Sequence, residues 1–164
     1  MDDQSQTDTQ PDSQDSYDQG RLADVRVLIV DDERDILEAF DAAFQSEDAM
    51  TLTAADGDEA VRICNDDPPD IVILDMMLPK RSGFLVLEKI KGLESSPIVI
   101  MVTANEGQRH QAYGESLGVD AYLQKPVPLS LLLDKAVELL DALDDEQDAL
   151  DDQQDQQAQQ SQED

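Results

Sequence analysis

Asp31, Asp32, Asp75, Thr103 and Lys125 each stand at or just past the end of a short aliphatic stretch. The stretches are 25–30, 71–74, 98–102 and 121–124. If they are parallel strands, their endings meet at the carboxyl edge of one sheet, where open α/β folds hold their sites. Three carboxylates gathered there repel one another at a cost of several kcal/mol unless a proton or a cation intervenes. A hard divalent ion is the natural counter-charge, and Mg²⁺ favours one or two carboxylates together with water and phosphate oxygens. Thr103 offers a hydroxyl donor and Lys125 a point charge. Those two groups can grip a phosphoryl group from the side opposite the metal.

The elements that must position these residues can be read from periodicity. Asp75 ends the run Ile71, Val72, Ile73, Leu74, whose unbroken branched side chains predict a strand covered on both faces. The runs 25–30 and 98–102 have the same texture, whereas 50–54 alternates and suits a place near a sheet edge. Between them, Ile36, Leu37, Phe40, Ala43 and Phe44 fall on one helical face over 33–45. A short helix is expected over 58–65 with Ala60, Val61 and Cys64 inward, and another over 84–93. The stretch 108–117 predicts the poorest helix, polar and interrupted by Gly114, and so the element readiest to shift. A strong amphipathic helix begins at Leu129 and is expected to run to Leu143, extending to about 150. Five strand–helix units in strict alternation predict a doubly wound parallel α/β sheet. The expected organisation is a disordered acidic tail at 1–23, one domain at 24–143 and a low-complexity Gln/Asp tail at 144–164.

The chain has 164 residues and a formal charge of -28, of which -5 falls in 1–23, -14 in 24–143 and -9 in 144–164. A surface this acidic repels phosphodiester backbones, which argues against direct nucleic-acid binding. So much like charge opposes a compact state in dilute buffer, but molar salt shortens the Debye length to about 3 Å. A salt-rich cytoplasm is the expectation this raises; acidic tails on an ordinary acidic domain are the alternative. The single cysteine, Cys64, excludes an intramolecular disulfide and reads as a small core hydrophobe. No apolar run approaches the roughly 20 residues a bilayer requires, and the amino terminus does not read as a secretory signal. The expected location is the cytoplasm, with no membrane partner.

Taken in order, Asp31 and Asp32 after the first strand, Asp75 with Pro79 and Gly83 downstream, Thr103-Ala104, and Lys125-Pro126 resemble the receiver domain of two-component response regulators. The segment Ala55, Asp56, Gly57, Asp58, Glu59, Ala60 is similar to the family's turn into its second helix. The resemblance covers about 24–143. It implies a flavodoxin-like (βα)5 sheet in the order 2-1-3-4-5, with Asp75 as phospho-acceptor. Asp32 would hold Mg²⁺ directly and Asp31 chiefly through water, with Asp75 and the backbone carbonyl of Met77 completing the ligands. Lys125 would pair with the acyl phosphate, Thr103 would hydrogen-bond it, and Tyr122 would be the aromatic switch. The Lys125-Pro126 bond would be cis. The implied partners are a sensor histidine kinase or a phosphotransfer protein, a downstream protein of unknown identity, and a phosphorylation-dependent homodimer. The face made by the fourth helix, fifth strand and fifth helix would be the readout.

The acidic tail stands where many relatives carry a DNA-binding module, so a stand-alone receiver is the expected form. It would be no enzyme beyond promoting its own phosphotransfer and slow dephosphorylation. Met77, two past the acceptor, and Asn105, two past Thr103, occupy positions that in related domains influence how water reaches the phosphate. An apolar Met77 suggests slow self-hydrolysis. A Mg²⁺-dependent phosphohydrolase with a strand-end Asp is the rival from another class, but it typically needs a second acid where Met77 stands. A receiver that works by constant contacts, without phosphate, is the third reading. His110 lies on a polar helix and reads as a surface histidine.

Overall fold

The computed structural model describes residues 19–104 and 107–161. Five strands, β1 (Arg26–Val30), β2 (Met50–Ala54), β3 (Ile71–Asp75), β4 (Ile98–Thr103) and β5 (Ala121–Gln124), alternate with five helices. The helices are α1 (Arg34–Gln45), α2 (Gly57–Asp66), α3 (Gly83–Lys91), α4 (Gln108–Ser116) and α5 (Leu129–Gln160). All strand pairs are parallel, in the order β2-β1-β3-β4-β5. The doubly wound arrangement expected from the alternation is the one observed.

β3 lies at the centre of this sheet, and every residue of β3 and β4 is buried. Their side chains alternate between two cores. Val27, Ile29, Ile71, Ile73 and Ile100 pack against Phe40 and Phe44 of α1 and Leu132 and Ala136 of α5. Leu28, Val30, Val72, Leu74, Val99 and Met101 pack against Ala60 and Cys64 of α2 and Val86, Leu87 and Ile90 of α3. Two-sided cover is why these strands read as unbroken aliphatic runs. β2 is an edge strand, as its alternation suggested, but the apolar side of that alternation is not covered: Met50 and Leu52 are exposed, and of the three apolar residues only Ala54 is buried. Burying each large aliphatic side chain stabilises the fold by roughly 1.5–3 kcal/mol.

Two boundaries differ from the sequence expectation. The first concerns the tail assigned to 1–23. Its residues 1–18 lie outside the described residues, but Leu22 is fully buried in the α1/α5 core. Its N–H donates to the Glu47 carbonyl at 3.0 Å, and Arg21 bridges Glu47 and Asp134, each at 2.8 Å. A lone leucine among polar residues has no periodicity, so only long-range contact reveals that it belongs to the fold.

The second boundary is the carboxyl end of α5, which runs to Gln160 rather than to about 150. From 141 to 159 every residue is exposed. Packing therefore does not carry this extension. It continues a helix already nucleated by Leu132, Leu133 and Ala136, and it meets no Gly or Pro. Asp141/Asp145, Asp144/Asp148, Asp148/Asp152 and Asp151/Asp155 are like-charge pairs four residues apart, each opposing the helix by about 0.2–0.5 kcal/mol. α4 is the weakest element, as expected: it buries Gly114 and has no side-chain cap.

Candidate functional site

β1 stops at Val30, and the next N–H, that of Asp31, still donates to the Ala54 carbonyl at 3.1 Å. That bond holds Asp31 at the sheet edge. Its Oδ1 accepts from the Glu33 N–H at 2.9 Å, which turns the chain into α1. Asp75 closes β3 opposite Val102, and Thr103 closes β4 opposite Gln124. Lys125 follows at once, its N–H donating to the Thr103 carbonyl at 2.8 Å, and its peptide bond to Pro126 is cis.

These endings converge. Asp31, Asp32 and Asp75 each place a carboxylate oxygen within 4.8 Å of the others, with Asp31 and Asp75 buried and Asp32 exposed. Lys125 Nζ reaches the same spot, 2.7 Å from Asp31 Oδ2 and 3.6 Å from Asp75 Oδ2. Thr103 is fully buried alongside. Tyr122 is not part of the cluster; it lies on β5 opposite Met101, half-buried beside Gly114. Its hydroxyl is buried without a hydrogen-bond partner among the described residues. The Met77 side chain is 68% exposed, while its N–H donates to Asp75 Oδ1 at 3.3 Å. Asn105 lies outside the described residues. His110 is exposed and stacks on Phe84 at 6.1 Å. Cys64 is a buried free thiol, and burial pushes it up to about 11, an inert core group.

The electrostatics follow from this crowding. Burial and the neighbouring Asp31 charge push the Asp75 carboxyl up to about 6, against the pull of Lys125 and the Met77 N–H, with Asp32 adding a little more. For Lys125, burial opposes the charge, but the Asp31 hydrogen bond and the Asp75 and Asp31 carboxylates outweigh it and hold the ammonium above its ordinary range. Three carboxylates against one ammonium leave an excess of negative charge.

The donor set is all oxygen, and the ligands around Mg²⁺ at about 2.1 Å stand roughly 3–4 Å apart. Asp31, Asp32 and Asp75 therefore fit a hydrated Mg²⁺, with Asp31 already engaged by Lys125. Among the described residues they are the one group of three or more such ligands.

Sequence reasoning did not find what anchors the loop after Asp75. Gly83 donates its N–H to the Met76 carbonyl at 2.9 Å, and a Cβ there would sit 2.3 Å from the Asp75 carbonyl oxygen. Lys80 adopts φ 65° and pairs with Asp56 at 3.1 Å, and Arg81 pairs with Asp58 at 3.0 Å. Asp56 also caps α2, accepting from the Glu59 N–H at 2.9 Å. The amino end of α2 thus pins the loop that carries Met77. Those pairs join residues more than twenty positions apart, and no local pattern announces them.

Comparison with known proteins agrees with this geometry. The family model described as response regulator receiver domain matches residues 27–137. The chain is similar to a CheY-like receiver domain protein of Methanospirillum hungatei JF-1, at 31% identity over 76% of this chain and 98% of that one, with a TM-score of 0.72. It is also similar to a chain in a CheX–CheY–BeF3–Mg complex from Borrelia burgdorferi, at 29% identity over 71% and 89% of the two chains, TM-score 0.67. The receiver domain of the Francisella response regulator 1452 matches at 28% identity over 71% and 95%, TM-score 0.66.

Proposed function

This chain belongs to the response regulator receiver domain family, and from that membership we propose that Asp75 accepts a phosphoryl group from a phosphohistidine on a sensor kinase or phosphotransfer protein. The observation that carries the reading is the meeting of Asp31, Asp32 and Asp75 within 4.8 Å, with Lys125 Nζ 2.7 and 3.6 Å from two of them.

Asp75 Oδ1 holds the Met77 N–H, which leaves Oδ2, on the Lys125 side, as the oxygen that attacks phosphorus. The new O–P bond forms as the N–P bond of the donor breaks, and the imidazole nitrogen takes up a proton from water. Asp32, Asp75 and the Met77 carbonyl would hold Mg²⁺, with Asp31 reaching it through water. When bound, the ion supplies positive charge to the phosphoryl oxygens and fixes their orientation. Lys125 turns from Asp31 to the arriving phosphoryl group and neutralises it from the other side. Thr103 donates its hydroxyl to a phosphoryl oxygen. The displacement frees room toward β5, and Tyr122 turns inward. α4 has little buried surface to resist, so the face of α4, β5 and α5 changes shape and carries the signal to a downstream protein. Among the described residues no helix is long and apolar enough to cross a membrane, and the proposed setting is the cytoplasm. Met77, exposed and apolar, presents no acid to activate water, which favours a long-lived phosphoryl group over hydrolysis.

The test is incubation with acetyl phosphate, with and without Mg²⁺, read by intact mass. The parent should gain one phosphoryl group only with Mg²⁺, and Asp75→Asn should gain none. Labelling that persists in Asp75→Asn, or that ignores Mg²⁺, would refute the assignment.

A further inference from the structure

The turn from β2 into α2 touches both of the loops that would hold the metal. On one side the Ala54 carbonyl accepts the Asp31 N–H at 3.1 Å, next to Asp32. On the other side the start of α2 meets the loop between Asp75 and Gly83. Gly57 donates its N–H to the Pro79 carbonyl at 3.4 Å, and a Cβ at Gly57 would clash with the Arg81 carbonyl oxygen. Asp56 pairs with Lys80 at 3.1 Å, and Asp58 with Arg81 at 3.0 Å. The stretch 54–58 thus bridges the turn after β1 and the loop after β3.

That loop has little else to fix it. From Met77 to Ser82 no side chain is fully buried. Lys80 stands at φ 65°, in the left-handed region that a lysine seldom adopts. The Arg81 N–H donates to the Pro79 carbonyl at 2.7 Å, so the backbone bends where the two cations leave it toward α2. Both pairs are open to water: Lys80 and Asp56 are 63% and 18% exposed, Arg81 and Asp58 31% and 54%. Ion pairs of this kind add little to global stability. What they can decide is where a loop without a core of its own comes to rest.

We propose that Asp56–Lys80 and Asp58–Arg81 are positioning pairs that set how tightly the acidic pocket binds Mg²⁺. They do so by fixing the loop that carries Met77 relative to Asp31 and Asp32. The inference rests on the reading of Asp32, Asp75 and the Met77 carbonyl as the metal site. None of the four paired side chains belongs to that cluster, so their influence passes through the backbone. Partners outside the ligand shell typically carry about 10–100-fold of metal affinity, and an effect relayed through a loop belongs at the low end, about threefold to tenfold.

The test reads Mg²⁺ binding to the unphosphorylated full chain by isothermal titration calorimetry, in about 0.15 M KCl, where the Debye length is about 8 Å. The decisive variant is Lys80→Gln with Arg81→Gln, checked for folding by circular dichroism. Removing two cations makes the surroundings more negative, so charge alone predicts tighter binding, whereas loss of the hold predicts weaker binding. Affinity should fall about threefold to tenfold, while the urea midpoint stays close to the parent's. In the metal-free variant, hydrogen exchange should quicken over 76–82 and stay unchanged in β3. Binding as tight as the parent's or tighter would overturn the inference, and so would unchanged exchange over 76–82. A large drop in the urea midpoint would also overturn it, marking the pairs as props of the whole fold. If the parent shows no Mg²⁺ binding that Asp32→Asn weakens, the metal-site reading itself fails and takes this inference with it.

Discussion

Replacing Asp75 by Asn should stabilise the protein above neutrality while abolishing phosphorylation. The folded carboxyl is pushed from 3.8 up to about 6, chiefly by burial. Between those two values the native chain binds more protons than the unfolded one, so stability falls as pH rises through that window and stays low above it. At about 1.36 kcal/mol per unit, ionising Asp75 costs the native state about 3 kcal/mol. Asn escapes that cost and still offers an acceptor to the Met77 N–H, but gives up the attraction to Lys125, which keeps Asp31 at 2.7 Å. A gain of about 2–3 kcal/mol at pH 7.5 is expected, or roughly 5–10 °C in Tm. It should shrink toward zero by pH 4. The measurement is urea and thermal unfolding of both proteins at fixed KCl, without Mg²⁺. Added Mg²⁺ should then close the gap, because the parent, with three carboxylates, binds the ion more tightly; at 100-fold over Kd the gain is about 2.7 kcal/mol. Equal stability at pH 7.5, or a less stable variant, would refute the reasoning. It would mean that Lys125 already compensates the buried charge in full.

Four further outcomes follow from the same structure. Gly83→Ala places a Cβ 2.3 Å from the Asp75 carbonyl oxygen and should cost at least about 2 kcal/mol in urea unfolding and slow labelling by acetyl phosphate. Leu22→Ala should cost about 2–5 kcal/mol; a change near zero would show that residues 20–23 are not part of the folded unit. Tyr122→Phe removes a buried hydroxyl that has no partner among the described residues, so the unphosphorylated domain should become more stable by up to about 1 kcal/mol, and Asp75 should still accept phosphate. Raising KCl should increase helical ellipticity, because the four like-charge pairs of the α5 extension together oppose it by about 1–2 kcal/mol at low salt. Truncation at residue 143 should remove that part of the salt response.

The order of elements, the parallel sheet and the identity of the clustered residues were legible in the sequence because each is encoded locally. An aliphatic run broken by Asp75 or by Asp31 and Asp32 states both a strand and its end, and parallel pairing then carries every such ending to one edge. Helical faces such as Ile36, Leu37, Phe40 and Phe44 state their inward side in the same way. What only the folded chain decided are relations between distant residues. Lys125 sits closer to Asp31 than to Asp75, and α2 grips the loop after Asp75 through Asp56–Lys80 and Asp58–Arg81. Leu22 finds a core that no neighbouring residue announces, and α5 outlasts its apolar pattern because an established helix grows without paying for a new nucleus. Periodicity reports which way a side chain faces; which partner waits there is set by packing across the whole sheet.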